Sequence, residues 1–330
     1  MNKFKIGVIG GGSWATALIK IFQENNFDIN WWVRSEDSIK KIKTFGRNPN
    51  YLSSVKINLN KTTVHNDINN VVKNSDYLVF AVPSVYLSQT LQLINQSFSE
   101  KFIISAIKGI VPDKNMLVAE YFNKKYNISY GKILVVSGPC HAEEVALEKL
   151  SYLTLACQDL NAAEIFSKAI SCRFIKIKTS KDIFGVEIAA VLKNVIAIAS
   201  GICHSLGYGD NFQAVLVSNA IIEIENFVNK VNPIKREIKE SVYLGDLLVT
   251  AYSQFSRNRT FGGMIGKGYS VRSAQLEMNM IAEGYYVVKC IKDINSNYDV
   301  EIPIIDAVYN ILYKNSSPSK EMSLLSQKLS

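Results

Sequence analysis

Along the first half of the chain, short apolar runs alternate with longer stretches of helical spacing. The runs at 5–9, 29–33, 77–82, 102–106 and 133–137 are rich in Val, Ile and Phe, and two more follow at 153–156 and 174–178. They are apolar on both faces, as strands of a parallel sheet covered by helices are. Segments 13–25 and 161–170 have the spacing of the covering helices. The alternation predicts a doubly wound α/β domain over residues 1–181. From Asp182 the character changes: 182–205 reads as one long helix, apolar over much of its surface and therefore buried. Further helices are predicted at 211–229, 233–240, 244–253, 271–278, 282–294 and 304–312, so 182–330 is expected to be all-α. The Ser/Lys-rich tail from Asn315 is expected to fray.

Composition narrows the class. Of the 330 residues, 48 % are hydrophobic and 20 % charged, which argues against a disordered or fibrous chain. No run approaches the ~18 consecutive apolar residues of a membrane helix. The longest, 195–203, carries Ser200 and Gly201, so no membrane insertion is expected. Met1 leads into a strand-like run without a signal-peptide pattern. Lys plus Arg number 37 against 29 Asp plus Glu, a net charge of +8. That excess favours anionic partners such as phosphates. The charges are scattered, with no zinc-ligand spacing or RNA-binding aromatic signature, so nucleic acid is not an expected partner. Five cysteines, an odd number with no C-x-x-C pair, predict free thiols in a reducing, cytoplasmic compartment. Three histidines and no H-E-x-x-H predict no metal site.

The candidate chemistry begins at Gly10-Gly11-Gly12-Ser13-Trp14-Ala15, directly after the first strand and opening the first helix. This is G-x-G-x-x-A. Gly10 permits the tight turn, Gly12 lets a pyrophosphate approach the backbone, and Ala15 is small enough for helix–strand packing. The helix N-terminus then receives the diphosphate. The first domain is accordingly expected to be a Rossmann-like NAD(P)-binding domain. At the end of the second strand, Trp32-Val33-Arg34-Ser35 has no acidic residue. Arg34 favours NADP(H), whose 2′-phosphate it can meet, over NAD(H); its alternative role is to stack on the adenine.

Other strand ends carry polar chemistry: Val82-Pro83-Ser84, Ala106-Ile107-Lys108-Gly109 and Ser137-Gly138-Pro139-Cys140. Ligands of open α/β sheets lie beyond such ends. In the helical half, Lys193-Asn194 interrupts an apolar stretch. A buried Lys has a lowered pKa and can pass a proton near neutral pH, whereas a Lys at the helix edge would only snorkel. Asp246 and Thr250 lie four residues apart on one helix face. Ser256-Arg257-Asn258-Arg259 offers guanidinium and amide donors suited to phosphate.

Taken in order and spacing, these motifs resemble the bacterial type of NAD(P)-dependent glycerol-3-phosphate dehydrogenase. The resemblance rests on 10–18, 107–109, 137–139, 192–195, 244–247, 256–259 and 282–285, and spans nearly the whole chain. It implies that dihydroxyacetone phosphate is reversibly reduced to sn-glycerol 3-phosphate for phospholipid synthesis, by a homodimer. It implies cofactor contacts from Gly10, Gly12, Ser13, Trp14, Arg34, Lys108, Ala142, Arg257, Ile281 and Glu283. It implies substrate contacts from Lys108, Gly138, Cys140, Lys193, Asn194, Asp246, Thr250, Ser256, Arg257 and Asn258. Lys193 becomes the proton donor and acceptor, helped by Lys108 and Asp246. Cys140 departs from the usual Ser or Thr, and Tyr243 from a common Gly. The competing readings are a ketopantoate- or hydroxyacid-type dehydrogenase, which shares the two-domain plan, and a dinucleotide sensor without catalysis.

Overall fold

The computed structural model describes residues 4–278 and 280–330. The chain divides into two compact units, Met1–Ile107 with Val118–Ile183 and Lys108–Leu117 with Phe184–Ser330. The segment Lys108–Leu117, assigned to the first domain from the sequence, thus packs with the second unit.

The first unit is built on a sheet that has eight strands among the described residues. They are β1 (Ile6–Ile9), β2 (Ile29–Trp32), β3 (Thr62–His65), β4 (Tyr77–Phe80), β5 (Phe102–Ser105), β8 (Ile133–Ser137), β9 (Ser151–Ala156) and β10 (Ile175–Ser180). The spatial order is β10-β9-β8-β5-β4-β1-β2-β3. All neighbours run parallel except β8 and β9. There the link 138–150 turns the chain back instead of crossing over the sheet, as an antiparallel pair permits. The hydrophobic pattern missed β3: Thr62 and Val64 face inward while Thr63 is exposed, so this edge strand is apolar on one face only. The opposite edge, β10, presents Lys176 and Lys178 outward, which blunts pairing with another chain.

β1 lies between β2 and β4, and chain order reverses across it. Such a switch point opens a crevice beyond the strand ends. Gly10 sits there with φ +137°, and a Cβ on it would stand 2.5 Å from the Ala81 carbonyl oxygen. That backbone shape and that gap both require glycine. The helix Ser13–Glu24 starts at once, with Gly12 as its N-cap.

In the second unit, β6 (Ile110–Val111) and β7 (Met116–Leu117) form a small antiparallel pair; the remaining elements are helical. The helix Ile183–Ser205 is long and apolar enough to cross a membrane, but 94 % of its most apolar stretch is buried inside the protein. It is the axis of this unit. The segment Ser256–Gly263, which the sequence presents as a basic, glycine-rich stretch, is mostly helix, spanning Arg257–Gly266 and N-capped by the Ser256 hydroxyl. Its glycines allow two helices to touch: a methyl on Gly262 would overlap the Ile198 carbonyl, and one on Gly201 the Arg259 carbonyl.

Two sequence expectations are corrected. Residues 233–240 are not a helix. The helix Asp210–Val231 ends at Asn232, whose backbone is non-helical (φ −140°, ψ 88°), as the residue before a proline tends to be. Arg236 then folds back to bond Asn229 Oδ1 at 2.7 Å and the Asn232 carbonyl at 2.9 Å. The tail, in turn, does not fray: Pro318–Ser326 is a helix anchored by the buried side chains of Met322 and Leu325. Two apolar side chains three residues apart are enough to seat it, while Leu324 beside them stays exposed. All five cysteines are free, and burial pushes the Cys157 and Cys290 thiols up to about 11.

Candidate active site

In the second unit, Lys193 and Asn194 lie mid-helix, where packing removes both from solvent. Asp246 opens the helix Asp246–Tyr252 after a wide π-turn at Ser241–Gly245. Lys193 Nζ forms an ion pair with Asp246 Oδ1 and donates to Thr250 Oγ1 at 3.0 Å. Thr250 in turn donates to the Asp246 carbonyl at 2.6 Å, closing one helical turn. Lys108 Nζ meets the other carboxylate oxygen of Asp246 at 3.3 Å, and Asn194 Nδ2 donates to the Lys108 carbonyl at 2.8 Å. Two ammonium groups therefore share one carboxylate that is 1 % exposed.

The electrostatics follow from that arrangement. Burial pushes the Lys193 ammonium down to about 7; Asp246 opposes the fall and Lys108 adds to it. Burial works to raise the Asp246 carboxyl, but the charges of Lys108 and Lys193 outweigh it and hold the group below its ordinary value. An ammonium has three donors. Thr250 and Asp246 engage two, and the third is suited to a substrate oxygen. A lysine that changes charge near neutrality, held by a carboxylate that does not, has the properties of a general acid/base.

Two further segments converge on the same helix. Asn258 Oδ1 accepts from the Gly284 N–H at 2.9 Å, at the start of the helix Glu283–Asn295. A Cβ on Gly284 would lie 2.6 Å from the Asn194 carbonyl, so this helix approaches Asn194 backbone to backbone. Ser256, Arg257 and Asn258 form the N-terminal turn of the helix Arg257–Gly266. Arg257 is partly buried.

In the first unit, Gly10, Gly12, Ser13 and Trp14 line the end of β1, and Arg34 follows β2. Among the described residues, a Cβ on Gly12 would meet nothing within 4 Å, and the buried indole Nε1 of Trp14 has no hydrogen-bond partner. An open glycine at a helix N-terminus beside an unengaged donor fits a dinucleotide diphosphate. The Arg34 guanidinium lies 5.9 Å from the centre of the Tyr86 ring, within cation–π range. Gly138, φ +134°, follows β8, and its Cβ would come 2.7 Å from the Tyr152 carbonyl. Cys140 is buried, and Ala142 starts the short helix Ala142–Ala146.

Comparison with known proteins decides the family. The model of the NAD-dependent glycerol-3-phosphate dehydrogenase N-terminus matches residues 5–163, and that of the C-terminus matches 182–323. The chain belongs to the NAD-dependent glycerol-3-phosphate dehydrogenase family. It is 33 % identical over 327 residues to a glycerol-3-phosphate dehydrogenase (NAD(P)+) of Staphylococcus epidermidis, covering 98 % of each chain. Against the Bacillus subtilis protein of the same name it is 33 % identical over 312 residues, 94 % of this chain and 90 % of that one. A crystal structure of glycerol-3-phosphate dehydrogenase from Coxiella burnetii superposes with a TM-score of 0.89 at 24 % identity, covering 98 % of both chains.

As a member of the glycerol-3-phosphate dehydrogenase family, the chain is an NAD(P)-dependent oxidoreductase. Of the residues singled out from the sequence, Lys108, Lys193, Asn194, Asp246 and Thr250 are in direct contact. Asn258 and the Glu283 segment are tied to each other. Sequence reasoning missed that Asn258 caps Gly284, that Tyr86 faces Arg34, and that Asn48 reaches the glycine turn. Each is a contact between distant segments. The Asn-Pro pair at 48–49 marks a turn but not what that turn touches.

Proposed function

We propose that this chain reduces dihydroxyacetone phosphate reversibly to sn-glycerol 3-phosphate, with Lys193 as the acid in reduction and the base in oxidation. The observation carrying this reading is the buried Lys193–Asp246–Lys108 cluster. A bound dihydronicotinamide would supply the hydride that the ketone carbon accepts. As the carbonyl oxygen gains electrons, Lys193 Nζ gives it a proton, so no free alkoxide forms. Lys108 and the Asn194 amide favour the negative charge that develops there. Asp246 keeps Lys193 charged enough to donate, despite burial, and Thr250 fixes the direction of its N–H bonds. Gly138 and Cys140 are assigned to the substrate, with the Cys140 thiol standing where a hydroxyl would bond more strongly.

Arg257 is assigned to the substrate phosphate, with Ser256 and Asn258 beside it. Holding the unreactive end positions the carbonyl. Gly10, Gly12, Ser13 and Trp14 would hold the dinucleotide diphosphate, and Arg34 the 2′-phosphate of NADP(H). Ala142, Lys108, Arg257, Ile281 and Glu283 are its further contacts. A homodimer working in the cytoplasm, without membrane insertion or nucleic acid, completes the reading, with supply of glycerol phosphate for phospholipids as its role.

The purified protein is expected to consume NADPH or NADH when dihydroxyacetone phosphate is added, and initial rates with each will rank the two cofactors. Unchanged dihydronicotinamide absorbance with both would reject the assignment. Arg257→Ala is expected to raise the KM for dihydroxyacetone phosphate by roughly 10- to 100-fold, the worth of a charge-assisted hydrogen bond, with the cofactor KM, to which Arg257 is also assigned, rising less. An unchanged substrate KM would remove Arg257 from the phosphate.

A further inference from the structure

Asn48 lies in the turn after the helix Glu36–Phe45, far in sequence from the glycine motif, and is 2 % exposed. Its Nδ2 donates to the Gly11 carbonyl at 3.0 Å and to Thr16 Oγ1 at 2.8 Å. Its Oδ1 accepts from the Asn50 N–H at 3.2 Å. A carbonyl can only accept and a backbone N–H can only donate, so chemistry fixes which way the amide faces. Thr16 Oγ1 passes the contact on, donating to the Gly12 carbonyl at 3.0 Å. The Thr16 N–H reaches that same carbonyl, also at 3.0 Å. One buried carboxamide therefore governs the carbonyls of Gly11 and Gly12, directly and through Thr16.

A trans peptide is planar, and its N–H points opposite to its C=O. Drawing the Gly11 carbonyl towards Asn48 turns the Gly12 N–H the other way. Drawing the Gly12 carbonyl towards Thr16 does the same for the Ser13 N–H. Glycine has the most backbone freedom of any residue, so three in a row would otherwise sample many orientations. We infer that Asn48 is a positioning residue for the dinucleotide, bracing the glycine turn so that the Gly12 and Ser13 N–H groups stand ready for the diphosphate. This rests on the assignment of that turn to NAD(P)H in the preceding section.

The test titrates NADPH and NADH into wild type, Asn48→Ala and Asn48→Asp, following tryptophan fluorescence, and measures both KM values and kcat. Asn48→Ala is expected to weaken both dinucleotides about tenfold, the loss of one to two hydrogen bonds' worth of ordering. Asn48→Asp should weaken them more, because a carboxylate cannot donate to Gly11 or Thr16 and places negative charge under a dianion. The KM for dihydroxyacetone phosphate and the kcat at saturating cofactor should stay within about twofold. A purely structural role would lower the amount of folded enzyme and leave the cofactor KM alone, which would overturn the inference. If Asn48→Asp does not fold, Thr16→Val, which keeps the side-chain shape and removes the bridge to Gly12, should still weaken dinucleotide binding several-fold. Wild type that binds neither dinucleotide would defeat the cofactor assignment itself. Wild-type binding with unchanged affinity in Asn48→Ala and Thr16→Val would defeat only the role of Asn48.

Discussion

Lys193→Ala is expected to lower kcat by roughly 100-fold or more, within the span attributed to a lost general acid, while the protein stays folded. The second half of that expectation comes from the shared carboxylate. Removing Lys193 does not strand Asp246 as a buried bare charge, because Lys108 remains 3.3 Å from its other oxygen. Removing Asp246 instead would leave two ammonium groups facing each other, which is far worse for stability. The pH profile adds a check that a packing defect could not mimic. With burial pushing the Lys193 ammonium down to about 7, ketone reduction, which needs the charged form, should fall as pH rises through that value. Oxidation of glycerol phosphate needs the neutral amine and should rise over the same interval. Both limbs should flatten in Lys193→Ala. Near-normal kcat, or a wild-type profile level across neutrality, would take the proton transfer away from Lys193.

Gly262→Ala is expected to destabilise the second unit by about 3 kcal/mol, the upper end for forcing a methyl into a packed core. For a unit of this size that is roughly 6–12 °C in Tm. The added carbon would collide with the backbone carbonyl of Ile198, which cannot swing aside as a long side chain can. The helices must then separate, and Arg257 and Asn258 move with the first turn of their helix. The KM for dihydroxyacetone phosphate should therefore rise along with the loss of stability. Calorimetric melting alongside the KM decides it. Gly262→Ala melting like wild type would mean that the two helices do not meet at this glycine.

The β1–glycine–helix unit, the long buried helix and the lysine within it were all legible in the sequence, because each is a local pattern: a run of Val and Ile, a glycine spacing, a charge inside an apolar stretch. Less was legible where one face only is apolar, as in β3, or where few apolar residues anchor an element, as Met322 and Leu325 do for the last helix. The glycines at 262, 263 and 266 look like a flexible stretch in one dimension. In three they are a contact surface for the long helix, at Ile198, Gly201 and Ile202.

The order of residues alone determined that a dinucleotide turn precedes a helical half with a buried lysine, because backbone propensity and hydrophobic period act over a few neighbours. The family resemblance already grouped Lys108 with Lys193 and Asp246; only the tertiary structure decided that the two lysines share the two oxygens of that one carboxylate, that Asn258 holds Gly284, and that Asn48 grips the glycine turn. Those partners lie tens to more than a hundred residues apart, and the physical reason is shared. A buried donor or acceptor must find a complement wherever packing brings one, and no local period records where that will be.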